Sequence, residues 1–126
     1  MPLLLSTDTL PAPVSDYIQA ANAQDADTCL ATFANDALVN DDRREFRGKA
    51  AIGRWAAAEL FAASVSMDVV EAIDLHGSII VTARIDGTFD KTGLPDPLLL
   101  TYYFTLDGGH IVQLIIIHNR SQGGCA

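Results

Sequence analysis

Cysteine is scarce in this chain, with two in 126 residues, and neither Cys29 nor Cys125 has a CxxC spacing or a neighbouring histidine cluster. A disulfide framework and a structural metal site are both unsignalled, so no metal and no cofactor is expected. Positive charge is also thin: 8 lysines and arginines face 16 aspartates and glutamates, a formal net charge of -8. A phosphate backbone would meet net repulsion, which removes nucleic acid from the expected partners. The densest basic stretch, Arg43, Arg44, Arg47 and Lys49, is interleaved with Asp41, Asp42 and Glu45 and reads as a solvated turn. Long apolar runs are missing, so no membrane partner is expected. The opening MPLLLSTDTLPAP, with three consecutive leucines and no basic flank, is too short for a signal peptide. A soluble, cytoplasmic setting is the expectation.

What the chain has in quantity is aliphatic side chain. Its hydrophobic content is 49%, against 7% aromatic, and its mean hydropathy is +0.21. A length of 126 residues fits a single domain over 1–126. Such a chain fills a core and has apolar surface left over. The surplus has two destinations, a cavity for a small apolar molecule or a subunit interface.

Val14, Tyr17, Ile18 and Ala21 recur at helical spacing after Pro11 and Pro13, which predicts a first helix over 14–23. Cys29, Leu30 and Phe33 continue that spacing in a short second helix, with Asp25 or Asp27 as its cap. A short strand over 37–41 and the charged DDRRE turn lead to Ile52, Trp55, Ala56 and Leu60, the apolar face of a third helix. From Val65 the pattern alternates, and four strands are predicted over 65–75, 78–90, 98–106 and 110–120. Asp107, Gly108 and Gly109 form a tight hairpin between the last two, because paired glycines supply positive φ. Helices at the front and strands at the back predict an α+β fold with a curved antiparallel sheet.

The segment YIQAANAQDADTCLATFANDALVND, Tyr17 to Asp41, resembles the opening of the nuclear-transport-factor-two-like (cystatin-like) superfamily. The resemblance extends through Gly48, the AAIGRW helix and the DGG hairpin to the whole chain. It implies a cone: three N-terminal helices packed on a bent sheet, with a pocket at the wide end. Within the superfamily the chain is most similar to ketosteroid isomerases and to SnoaL-like polyketide cyclases. That likeness implies Tyr17, in the pattern Y-x-x-A-x-N-x-x-D, as hydrogen-bond donor to a substrate carbonyl, and Asp41 as general base. The third catalytic acid of ketosteroid isomerases falls on Tyr102, a departure from the family. The loop from Asp41 to Gly48 is also shorter than theirs, and the implied pocket wall comprises Trp55, Val81, Ala83, Ile85, Leu114, Ile116 and His118.

Moving a double bond beside a carbonyl needs a base at carbon and donors at the growing oxyanion. Asp41 would supply the first and Tyr17 the second; ketosteroid isomerase is itself a worked example of this logic. Tyr102 stands in for the missing acid as a neutral donor, with Tyr103 inheriting that role if the strand parity is reversed. His118 offers an acid, base or donor at the pocket mouth, and pairs with Asp41 in a cyclase or dehydratase reading. A binding protein without turnover uses the same residues to orient its ligand. A homodimer is expected through the outer sheet face, where parity places Thr82, Arg84, Tyr103, Gln113 and Ile115 or Ile117.

Overall fold

The computed structural model of the protein describes residues 3–5, 9–75, 78–88, 92–93 and 98–118. Along the chain come β1 (Leu3–Leu5), α1 (Ala12–Asn22), α2 (Ala26–Ala31), β2 (Phe33–Asp41), β3 (Arg44–Arg47), α3 (Gly48–Ala56), β4 (Ser66–Leu75), β5 (Ser78–Asp86), β6 (Leu99–Asp107) and β7 (His110–His118). The strands form one sheet in the order β1-β4-β5-β6-β7-β2-β3. All neighbours are antiparallel except β2 and β7, which run parallel. That pair corrects the expectation of a wholly antiparallel sheet. β2 is followed by β3 and α3 before the meander β4 to β7 begins, so it joins the sheet beside the final strand without a hairpin.

Local chemistry explains the helix ends. Pro11 and Pro13 open α1, which buries Val14, Tyr17, Ile18 and Ala21. Asp25 caps α2, accepting from the Thr28 backbone N–H at 3.2 Å and the Thr28 hydroxyl at 2.7 Å. α2 stops at Ala31 and does not run through Phe33 as its apolar spacing predicted. The Thr32 hydroxyl donates back to the Cys29 carbonyl at 2.7 Å, and Phe33 turns into β2. α3 does not end as an α-helix: Ala57–Phe61 widens into a π turn, with Ala62 N–H reaching the Ala57 carbonyl at 3.0 Å. The charged DDRRE stretch is a hairpin into β3 rather than a plain turn. Its two corner residues, Asp42 and Arg43, hold φ of 52° and 71°.

The meander follows the predicted alternation closely. Predicted strand ends at Asp90 and Arg120 lie outside the described residues, as does Cys125. Gly108 and Gly109, with φ of 59° and 80°, close the β6–β7 hairpin between Asp107 and His110. Register shifts at Val69/Glu71 in β4 and Thr105/Leu106 in β6 are bulges, which bend strands and strengthen twist.

Parity is settled on β6: Tyr102 is buried and Tyr103 is 38% exposed. Tyr102, Val81 and Ile116 lie side by side on the buried face, while Tyr103 pairs with Ile80 and Ile115 on the opposite one. Deep in the core Tyr17 meets Phe33 and Phe104 edge-on, at ring separations of 5.9 and 5.6 Å. Each such pair contributes roughly 0.5–1.5 kcal/mol beyond its buried area. No helix among the described residues is long and apolar enough to cross a membrane.

Candidate functional site

Asp41 is the last residue of β2 and only 7% exposed. A carboxylate there cannot be left to itself, since an unpaired buried charge costs several kcal/mol or more. Two donors converge on its Oδ2: the Trp55 indole N–H from α3 at 3.0 Å and the Arg44 Nη2 from β3 at 3.0 Å. The Arg44 Nε also donates to the Asp41 carbonyl at 3.3 Å. These bonds fix the carboxylate at the rim of a cavity of about 300 Å³. Pockets that hold small molecules run upward from about this volume.

The cavity is lined by Asp41, Trp55, Tyr102, Ile85 and Ile116 of the expected set. Around them stand Ala58, Glu59, Leu60 and Ala63 from the π turn and its exit, Val65, and Leu98 and Leu100 at the start of β6. Apart from Asp41, Glu59, the Trp55 N–H and the Tyr102 hydroxyl, the lining side chains are apolar. Burial pushes the Tyr102 phenol above its ordinary range, and the nearby Asp41 charge pushes the same way. Tyr102 is therefore a neutral donor at any physiological pH.

Tyr17 is fully buried but does not line this cavity. Its hydroxyl has no hydrogen-bond partner among the described residues. Burial raises its proton affinity well above that of a free phenol, helped by Tyr102, Cys29 and Asp41. Val81, Ala83 and Leu114 are likewise buried outside the cavity lining. Leu114 pairs with Phe104, beside the rings of Tyr17 and Phe33, whereas Val81 and Ala83 stand opposite the lining residues Tyr102 and Leu100 without lining the cavity themselves. His118 closes β7 opposite Leu100 by its backbone, and its side chain lies outside the described residues. Cys29 is buried, its thiol pushed up to about 12 by desolvation and by Asp25, which disfavours the thiolate.

Two groups of lining residues escaped the sequence. Leu100 stands two residues from Tyr102 on the same strand face, so parity alone sufficed to find it. Glu59 had only a weak signal, a charge beside the apolar face of Trp55 and Leu60. The π turn that brings Ala58, Glu59 and Leu60 together on the cavity has no residue signature in this stretch.

The model of the SnoaL-like domain matches residues 14–114. Among solved structures, a Sinorhizobium meliloti protein assigned as a polyketide cyclase is 34% identical, with TM-score 0.80, over 90% of this chain and 100% of that one. A Catenulispora acidiphila protein with a ketosteroid isomerase-like fold, solved with trimethylamine, is 19% identical with TM-score 0.73, over 90% and 89%. A Kribbella flavida protein assigned as a ketosteroid isomerase is 12% identical with TM-score 0.73, over 89% and 78%. The last two likenesses show the fold alone. No curated protein matches the sequence.

The two buried tyrosines give the fold an alkaline limit. An unfolded chain loses phenol protons near pH 10, whereas Tyr17 and Tyr102 keep theirs in the folded state above that pH. Stability contributed by these groups is thus fully present below about pH 10 and falls as pH rises further, because the unfolded state sheds protons first. Phenolate absorbance near 295 nm from Tyr17 and Tyr102 should appear together with the loss of far-ultraviolet circular dichroism. In a Tyr17→Phe/Tyr102→Phe protein the alkaline transition should move to higher pH.

Proposed function

The chain belongs to the SnoaL-like family, and on that premise we propose that it is an enzyme that removes a proton from carbon beside the carbonyl of a small apolar compound. Asp41 is the base and Tyr102 the donor to the developing oxyanion. The observation that supports this most is their position on one wall: a buried, oriented carboxylate and a phenol held neutral, facing a largely apolar cavity. Tyr17, the donor implied by the likeness to ketosteroid isomerases, is assigned to core packing, against Phe33 and Phe104.

The step balances without any added reagent. Asp41 takes the α-proton, the C–H electron pair becomes the new carbon–carbon double bond, and the carbonyl electrons move onto oxygen, where the Tyr102 O–H stabilises them. Return of the proton at a different carbon is isomerisation. Attack of the enolate on a second carbonyl of the same molecule is ring closure. The Sinorhizobium meliloti relative, assigned as a polyketide cyclase, favours the second outcome, and both share the first step. Apolar walls lower the local dielectric around the enolate, so each hydrogen bond to it is worth more than in solution.

A homodimer completes the reading. Ile117 is 48% exposed and Tyr103 38%, on the sheet face turned away from the cavity, and burying such side chains is the ordinary use of a sheet left uncovered.

Two measurements check these statements. With 2-tetralone in D2O, wild type should catalyse deuterium incorporation at the α-carbons, and Asp41→Asn should lower that rate by about 10²–10⁴-fold, the usual worth of a general base. Equal rates in the two proteins would remove Asp41 from the chemistry. Sedimentation of wild type at micromolar concentration should give a dimer that Ile117→Lys shifts to monomer; a monomeric wild type would end the interface.

A further inference from the structure

The guanidinium of Arg44 does more than neutralise Asp41. While its Nη2 donates to Asp41 Oδ2 at 3.0 Å, the same nitrogen donates to Glu59 Oε1 at 3.2 Å and Nη1 donates to Glu59 Oε2 at 3.3 Å. Asp41 ends β2 and Glu59 sits in the π turn, and both carboxylates line the cavity. Arg44 itself stands outside the lining, with its guanidinium carbon 5.7 Å from the centre of the Phe46 ring. Phe46 in turn lies 6.2 Å from the Trp55 ring, whose N–H holds the same Asp41 oxygen.

The backbone is bent to make this grip. Arg44 pairs with Asp41 across the β2–β3 hairpin, whose corners Asp42 and Arg43 both adopt positive φ without being glycine. That conformation costs about 1–2 kcal/mol per residue of this kind. Strain of this sort persists where surrounding structure over-determines it, often beside a functional site. The tight two-residue corner sets Arg44 directly opposite Asp41, from where it reaches Glu59.

We infer that Arg44 is a positioning residue. By holding Asp41 and Glu59 with one guanidinium, it sets where the Asp41 carboxylate stands and ties the π turn to the hairpin beside the cavity. The inference rests on the reading of Asp41 as the base and deepens it, because the geometry of proton removal then depends on a residue that never touches substrate. A two-point grip of this kind needs the planar fork of arginine, which a lysine lacks. The Arg44–Glu59 arm is an exposed ion pair that contributes little to overall stability, so its loss should be felt in the chemistry.

The test uses 2-tetralone exchange in D2O, with circular dichroism confirming that each variant is folded. Arg44→Gln should lower kcat by roughly tenfold to a hundredfold, the scale of a misplaced catalytic group. KM should change by less than about threefold, because the apolar walls are intact. Glu59→Gln should lower kcat less, and Arg44→Gln/Glu59→Gln should be no worse than Arg44→Gln alone, since both remove one link. Arg44→Lys should recover only part of the rate, and millimolar methylguanidinium should raise the rate of Arg44→Ala. Additive losses, an effect confined to KM, or unchanged rates would overturn the positioning role while leaving Asp41 as base. Absence of exchange in the wild type, with Trp55 emission unmoved by 2-tetralone, would instead overturn the cavity reading and this inference with it.

Discussion

A carboxylate taken out of water must be given partners, and the cavity end of β2 is organised around meeting that demand for Asp41. The residue terminates β2 where the sheet runs out, close enough to the core to be 7% exposed. Its partners come from two separate elements, Trp55 on α3 and Arg44 on β3. Each partner then makes a second commitment, Trp55 to the cavity wall and Arg44 to Glu59 in the π turn. Satisfying one buried charge thus links the hairpin, α3, the π turn and the cavity. Removing either partner would leave part of that charge uncompensated, a larger loss than the net worth of the pair.

The sheet's buried face is not covered uniformly. Tyr17, Phe33 and Phe104 pack edge-on in the core. Elsewhere Leu100, Ile85 and Ile116 line the cavity together with Ala58, Glu59 and Leu60 of the π turn. A void of this kind forfeits dispersion contacts in the free protein. A guest that fills it restores them, which gives an apolar molecule a reason to bind before any polar contact is counted. Tyr17 shows a further concession at the same boundary, a buried hydroxyl with no partner among the described residues. Such a group costs about 1–3 kcal/mol.

The α+β class, the meander and the DGG hairpin were legible because period-two alternation and paired glycines act over a few residues. The parity that separates Tyr102 from Tyr103 followed from the same rule once the strand was placed. Asp41, Trp55, Ile85 and Ile116 were found because the superfamily resemblance set their register. Less legible were features set by tertiary geometry. Phe33 fits a helical spacing, yet the Thr32 hydroxyl and the sheet draw it into β2. The charged DDRRE stretch looks solvated, and its Arg44 is instead a structural partner of a buried acid. Nothing in AAELF announces a π turn, so Glu59 was passed over. Val81, Ala83 and Leu114 lie on the correct face but are covered outside the cavity lining, a distinction that alternation cannot make.

In the proposed reaction a carbonyl compound binds with its oxygen on Tyr102 and its α-carbon facing Asp41. A crystal structure of the protein soaked with 2-tetralone tests this most directly. The account predicts the ketone oxygen within hydrogen-bond distance of the Tyr102 hydroxyl, an α-carbon against the Asp41 carboxylate, and the Trp55 and Arg44 bonds to Asp41 intact. A ligand bound elsewhere, or one in the cavity with its carbonyl turned away from Tyr102 and Asp41, would contradict it.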